Sequence, residues 1–123
     1  MLTVDCILKN EKEDLMGEEK RKYRRAWVAL NLFILHPKKH TIVATTENIG
    51  EKGLRINIEE KLDASSLVGL EIYLGNEKIL SEGKIAYAIQ LKENPICYAT
   101  GIEFQIMEEK DRDLIKNYVN EIA

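Results

Sequence analysis

Apolar and polar residues alternate along most of the middle of this chain. Leu54, Ile56 and Ile58 are separated by single polar residues, and the same period of two recurs around Ile72. This period places successive side chains on opposite faces of an extended strand, so it predicts strands with one buried face. Segments of this kind predict six strands, over residues 27–35, 41–46, 54–59, 70–74, 79–91 and 98–106.

Short polar segments separate the predicted strands. Residues 37–40, 48–53, 75–78 and 92–95 carry proline, glycine or asparagine, which turns favour. Within the fifth predicted strand, Ile85, Tyr87 and Ile89 are expected to share one face, and Gly83 is expected to mark a bulge.

The period changes near the end of the chain, where apolar residues recur at steps of three and four, which predicts a helix from Glu108 onward. Asp111 and Asp113 favour its N-terminus electrostatically. The apolar face would consist of Leu114, Ile115, Tyr118, Val119 and Ile122. The sequence therefore predicts a mainly β protein, a small six-stranded antiparallel barrel with a C-terminal α-helix.

The domain organisation follows from length and from a change in composition. A chain of 123 residues is the usual size of one domain. Residues 1–17 are rich in charge and are compatible with a mobile arm, a short helix or an added edge strand. We therefore expect an N-terminal arm over residues 1–17 and the barrel with its helix over residues 18–123.

The net charge bears on the class of binding partner, and the cysteines bear on the cellular compartment of the protein. The formal net charge is -3, whereas a general nucleic-acid binder usually carries a positive excess. No apolar run is long enough to span a membrane, and the first 20 residues lack the apolar centre of a signal peptide. We expect a cytoplasmic protein in which Cys6 and Cys97 are free thiols.

The sequence contains no recognisable catalytic or metal-binding pattern. His36 and His40 have helical ligand spacing, but Pro37 lies between them and favours a turn. No nucleophile motif is present, and Gly50 and Gly53 are not followed by the Lys-Ser or Lys-Thr pair of a phosphate-binding loop. We expect a protein that is not an enzyme and that has no metal and no cofactor.

A basic cluster and a glycine-containing turn are the candidate binding features. Residues 20–25 carry five cations in six positions, an arrangement that suggests a defined anionic ligand on an otherwise acidic protein. Arginine suits bidentate phosphate recognition and stacking on a base. Residues 48–53 contain two glycines, which allow a backbone to approach a ligand closely. Together they predict a nucleotide-phosphate site.

These features resemble the motifs of the PilZ domain family. Arg21 and Arg25 match an RxxxR motif that precedes the first barrel strand. Asn48 and Gly53 match the ends of a [D/N]xSxxG motif, in which Gly50 replaces the serine. Residues 101–104 also resemble a Gly-x-x-Phe pattern in the last strand. The resemblance extends over about residues 18–123 and implies a PilZ barrel with the same order of elements.

The resemblance implies a ligand, bis-(3′,5′)-cyclic dimeric GMP (cyclic di-GMP), and a role for each motif residue. Arg21 and Arg25 would hold phosphate oxygens and pack against guanine faces. Asn48 would hydrogen-bond a guanine edge, and Gly53 would permit close approach of the backbone. Lys20 would add a charge contact and favour a stacked pair of ligands.

Gly50 lacks the serine hydroxyl of the family motif, which removes one hydrogen bond worth about 1 kcal/mol. The charged contacts of the implied site do not depend on that hydroxyl. Losing it would therefore weaken the site without abolishing it.

The resemblance also implies a way of signalling. The ligand would fold the arginine-bearing linker over the barrel, and a protein partner in motility, adhesion or exopolysaccharide control would detect the change. An alternative is an interaction adaptor of the same fold that binds no nucleotide, as Gly50 suggests. A further alternative is single-stranded nucleic-acid binding through Tyr23 and Trp27, which the acidic charge balance opposes.

Overall fold

The computed structural model describes residues 23–38 and 40–122. The predicted arm, residues 1–17, lies outside the described residues, as do Lys20 and Arg21. The described part of the chain contains seven strands and one helix. They are β1 (Arg25–Ala26), β2 (Asn31–Leu35), β3 (Thr41–Gly50), β4 (Gly53–Ile58), β5 (Leu67–Leu74), β6 (Glu77–Glu93), β7 (Ile96–Met107) and α1 (Glu109–Ile122).

Six of the strands form a closed antiparallel barrel. Their order is β3-β2-β5-β6-β7-β4, and pairing between β3 and β4 closes the barrel. The remaining strand, β1, pairs with Ile49 and Gly50 of β3, beyond the residues of β3 that pair with β2. The predicted mainly β fold, with a small barrel and a C-terminal helix, is confirmed. The short strand β1 was not predicted as a separate element.

The core of the barrel is built by the alternating residues that the sequence pattern identified. Leu32, Ile34, Ile56 and Ile72 are almost completely buried, because every second side chain of a strand points inward. The helix contributes Ile115 and Val119 to the same apolar cluster. Burial of side chains of this size stabilises the fold by about 1.5–3 kcal/mol each.

The first predicted strand is shorter than expected. Pairing begins only at Asn31, and residues 27–30 have no regular structure. The side chain of Thr46 explains the interruption: its hydroxyl accepts a hydrogen bond from the Leu30 amide and donates one to the Val28 carbonyl. Side-chain hydrogen bonds of this kind compete with the regular ladder between strands.

The segment 48–53 is not a single turn. Asn48 and Gly50 belong to β3, and Gly53 begins β4, so the turn consists of Glu51 and Lys52. Polar residues and glycines in this segment favoured a turn by composition. Pairing of both ends with neighbouring strands overrides that preference.

The face prediction for β6 is wrong, and register shifts between β6 and β7 explain why. Ile85 is buried, whereas Ile89 is 56% exposed. The register shifts between Ile85 and Tyr87, and again between Gln90 and Lys92. One extra residue in a strand exchanges the inward and outward faces beyond it. A further shift occurs between Glu82 and Gly83, where the sequence predicted a bulge.

Cys97 differs from the sequence-based expectation. It is buried and disulfide-bonded, and the described part of the chain has no free cysteine. The expectation of a free thiol is therefore wrong for Cys97, because separation along the chain says little about distance in the fold. Within residues 23–38 and 40–122, no helix is long and apolar enough to cross a membrane.

Candidate functional site

The basic segment is held against the barrel by the short strand β1. Arg25 pairs with Gly50, and Ala26 pairs with Ile49. The Ala26 and Ile49 side chains are both buried in the core, so they anchor this edge of the barrel. As a result, the last arginine of the basic cluster lies beside the segment that carries Asn48 and Gly50.

Arg25 and Asn48 are in direct contact. The Nε atom of Arg25 donates a hydrogen bond of 2.5 Å to Oδ1 of Asn48. Asn48 is fully buried and Arg25 is partly exposed. Hydrogen bonds with one charged partner are worth about 1.5–3 kcal/mol, so this contact orients the guanidinium on the barrel wall. Two predicted site residues, 23 positions apart in the sequence, are thus brought together.

Gly50 allows β1 to lie close to β3. A Cβ atom at this position would lie 2.8 Å from the carbonyl oxygen of Arg24 and 3.3 Å from Cγ of Arg25. The first distance is shorter than a Cβ atom tolerates, and the neighbour is backbone. The glycine that replaces the motif serine therefore has a structural role here, which is to admit the arginine-bearing strand.

Gly53 is crowded by another strand of the barrel. It pairs with Glu103, and a Cβ atom at Gly53 would overlap the carbonyl oxygen of Ile102. Close approach of backbone to backbone is a common reason for glycine within a strand. Gly53 also lines the cavity described below, so it lies at the predicted site while serving the packing of β4 on β7.

A buried ion pair adjoins the motif residues. Arg55 is the cross-strand partner of Asn48, and its Nε atom lies 3.3 Å from Oε1 of Glu47. The two side chains are only 6% and 3% exposed. This ion pair was not predicted, because the alternation of apolar and polar residues around Arg55 indicated a solvent-facing position. An arginine and a glutamate on either side of the glycine-containing segment were the only signal available.

A cavity of about 230 Å³ opens on the outer wall of the barrel beside Arg25. Lys52 adds a second cation to its lining, and Glu103 adds one carboxylate. Gly53 and Gly101 also line the cavity. Two cations around an open cavity favour an anionic ligand. The remaining lining residues are Leu54, Ala86, Tyr87 and Ile102.

The turn between β3 and β4 is fixed from two sides. Nη1 of Arg112, on α1, donates a hydrogen bond of 2.7 Å to the carbonyl oxygen of Glu51. Nζ of Lys52 lies 5.2 Å from the centre of the Tyr23 ring, a distance typical of a cation–π contact. The turn is therefore connected to the helix and to the segment that precedes β1.

The structure brings together Arg25, Asn48, Gly50 and Gly53, four of the six predicted site residues. The other two, Lys20 and Arg21, lie outside the described residues.

The two histidines are used locally and lie away from the site. His40 Nε2 is 3.2 Å from Oε1 of Glu60, and His36 Nδ1 accepts a hydrogen bond from the Lys38 amide. No group of three or more potential metal ligands occurs in the described part of the chain.

Several solved structures share this fold. The inhibitor of motility MotI/DgrA of Bacillus subtilis has a TM-score of 0.72 and 17% identity, over 82% of this chain and 50% of that protein. The PilZ domain of YcgR from Escherichia coli, solved with c-di-GMP, has a TM-score of 0.69 and 8% identity, over 84% and 91% of the two chains. The c-di-GMP complex of K. pneumonia MrkH has a TM-score of 0.66 and 13% identity, over 82% and 51%.

These similarities concern the fold, because the identities are low. The chain spans about half the length of MotI/DgrA and of MrkH. No curated protein matches its sequence. At the level of sequence families, the model of the PilZ domain matches residues 19–121, which is most of the chain. By that match, and with the barrel described above, the chain belongs to the PilZ domain family.

Proposed function

We propose that this protein is a receptor for cyclic di-GMP. The observation that carries the proposal is the contact between Arg25 and Asn48, in which Arg25 also lines a cavity with a second cation, Lys52. The two residues come from the two family motifs, and the fold brings them into contact on one wall of the barrel. Membership of the PilZ family and the c-di-GMP complexes of YcgR and MrkH add further support.

In this proposal each motif residue contacts a different part of the ligand. Arg21 and Arg25 hold phosphate oxygens through bidentate contacts, and Lys20 adds charge. Asn48 is a hydrogen-bonding partner for a guanine edge. Gly50 and Gly53 keep the wall free of side chains, so that the ligand and the arginine-bearing strand can both approach the backbone.

Binding would act on a partner through the segment that carries the arginines. In the described part of that segment, Arg25 and Ala26 form the two-residue strand that pairs with β3. A ligand held by both arginines would reorder the arginine linker, and a protein partner would detect that change. We place this partner in motility, adhesion or exopolysaccharide control, and the receptor in the bacterial cytoplasm.

Titration calorimetry with cyclic di-GMP tests the proposal. We expect saturable binding by the unaltered protein, and loss of binding in the Arg21→Ala and Arg25→Ala variants. Arg24→Ala is the matched control, because it removes the same charge from an exposed variable position of the motif, next to Arg25. The molar ratio at the midpoint of the titration gives the stoichiometry, which separates one ligand from a stacked pair. Unchanged binding in both motif variants would refute the assigned site.

A second candidate function is an interaction adaptor of the same fold that binds no nucleotide. Gly50 favours it, because the serine hydroxyl of the family motif is missing and a Cβ atom has no room beside Arg24. A folded protein that gives no heat with high micromolar ligand would support the adaptor and exclude the receptor. Thermal unfolding of the same sample confirms that the protein is folded.

A further inference from the structure

We infer that Tyr87 is a base-stacking residue of this site, an inference that rests on the proposed nucleotide-binding function. Neither the RxxxR motif nor the [D/N]xSxxG motif contains this residue. It lies on β6, more than 30 positions after the motif glycines, and it reaches the cavity only through the fold.

A bulge in β6 turns Tyr87 toward the ligand-binding wall. Ile85 pairs with Ile102, and both point into the core, but Tyr87 pairs with Gly101 because Ala86 is an extra residue. Without the bulge, Tyr87 would point inward like Ile85, two positions before it. Bulges often re-aim a side chain next to a functional site. Here the bulge places an aromatic ring on the outer surface.

Gly101 fixes the position of the ring. A Cβ atom at Gly101 would lie 2.6 Å from Cζ of Tyr87 and 2.9 Å from Cδ2, so the ring lies directly on the glycine backbone. An aromatic ring that covers a cross-strand glycine is held against the sheet. One part of the ring is thus packed on the wall, and Tyr87 also lines the cavity that contains Arg25 and Lys52.

The row of outward-facing residues places the ring on the same wall of the barrel as the hydrogen-bonding groups. Register pairs join Asn48 to Arg55, Arg55 to Gly101, and Gly101 to Tyr87 across three neighbouring strand pairs. The site thus contains a cation for phosphate, an amide for a base edge and a ring for a base face. A purine base offers a π face to such a ring and stacks on it.

Calorimetry with cyclic di-GMP on two variants of Tyr87 tests the inference. Tyr87→Leu keeps an apolar side chain over Gly101 but removes the ring, and we expect affinity to fall by roughly 5- to 150-fold, the range for loss of a stacked aromatic. Tyr87→Phe keeps the ring and should bind within about threefold of the unaltered protein. Tyr73→Leu is the matched control, since Tyr73 packs edge-on against Phe33, outside the lining of this cavity.

A second measurement reports on stacking itself. Addition of ligand to the unaltered protein should shift the ring-proton resonances of Tyr87 upfield, because a stacked base places them in its ring current. This readout does not depend on whether Tyr87→Leu folds.

Three outcomes would overturn the inference that Tyr87 stacks on a base. If the unaltered protein binds and Tyr87→Leu binds equally well, the stacking role is wrong but the receptor function stands. If Tyr87→Phe binds as weakly as Tyr87→Leu, the hydroxyl rather than the ring is responsible. If the unaltered protein binds no cyclic di-GMP, both the inference and the proposed function fail.

Discussion

Replacing Gly50 by serine should weaken ligand binding, even though serine is the residue of the family motif at this position. The reason is the short distance between β1 and β3. A Cβ atom at position 50 would lie 2.8 Å from the carbonyl oxygen of Arg24, so the strand that carries Arg25 must move away. The substitution would add a hydroxyl to the site but would displace Arg25 from its position.

The magnitude follows from the contacts that the shift disturbs. Overpacking a well-filled position costs about 1–3 kcal/mol of stability. Displacing β1 also disturbs the hydrogen bond between Arg25 and Asn48, a charged type worth about 1.5–3 kcal/mol, whereas a serine hydroxyl returns about 1 kcal/mol. The net loss of about 0.5–2 kcal/mol predicts binding roughly 2- to 30-fold weaker.

Urea unfolding and calorimetry with cyclic di-GMP measure the two effects. Gly50→Ala separates the effect of the added volume from the effect of the hydroxyl, because it introduces the same Cβ atom without the oxygen. This variant should bind the ligand no better than Gly50→Ser. Gly69→Ser is the control: a Cβ atom there would be 3.4 Å from Cβ of Leu35, an ordinary contact. Tighter binding by Gly50→Ser with undiminished stability would refute the packing argument.

Two further predictions concern residues around the site. Glu47→Ala should lower the free energy of unfolding by about 3–5 kcal/mol, because it removes a carboxylate from beside the buried guanidinium of Arg55. In urea unfolding, Lys78→Ala should lower the free energy of unfolding by less than about 1 kcal/mol, because Lys78 belongs to an exposed ion pair. Equal losses of stability in the Glu47→Ala and Lys78→Ala variants would contradict the burial argument. Arg112→Ala should cost about 1 kcal/mol and speed hydrogen exchange at the Lys52 amide, and exchange that stays at the original rate would argue against a role for the helix in fixing the turn.

The barrel and the helix could be predicted because each depends on local periodicity. Alternation identified the inward positions, such as Ile56 and Ile72, and the three- and four-residue steps identified α1. The strand β1 could not be predicted in this way, because its two residues, Arg25 and Ala26, are too few to show a period. It exists only because the edge of β3 is available for pairing.

The candidate site was only partly predictable for related reasons. The family motifs identified Arg25 and Asn48, but no local pattern shows that their side chains meet. The burial of Arg55 depends on its surroundings in the fold, and the outward position of Tyr87 depends on an extra residue in β6. The bulge at Ala86 is not marked by a glycine or any other compositional signal, so Tyr87 and Ile89 were wrongly assigned to the same face as Ile85.

The packing of α1 has a consequence for how the site communicates. The helix contacts β1 and β3, the strands that carry Arg25 and Asn48. A ligand that tightens β1 on β3 therefore also fixes the surface on which the helix rests. By thermodynamic linkage the effect is reciprocal. If the ligand raises the affinity of a partner protein for α1 by some factor, the partner raises the affinity for the ligand by the same factor. We expect a protein that binds α1 to change the affinity of the proposed ligand site.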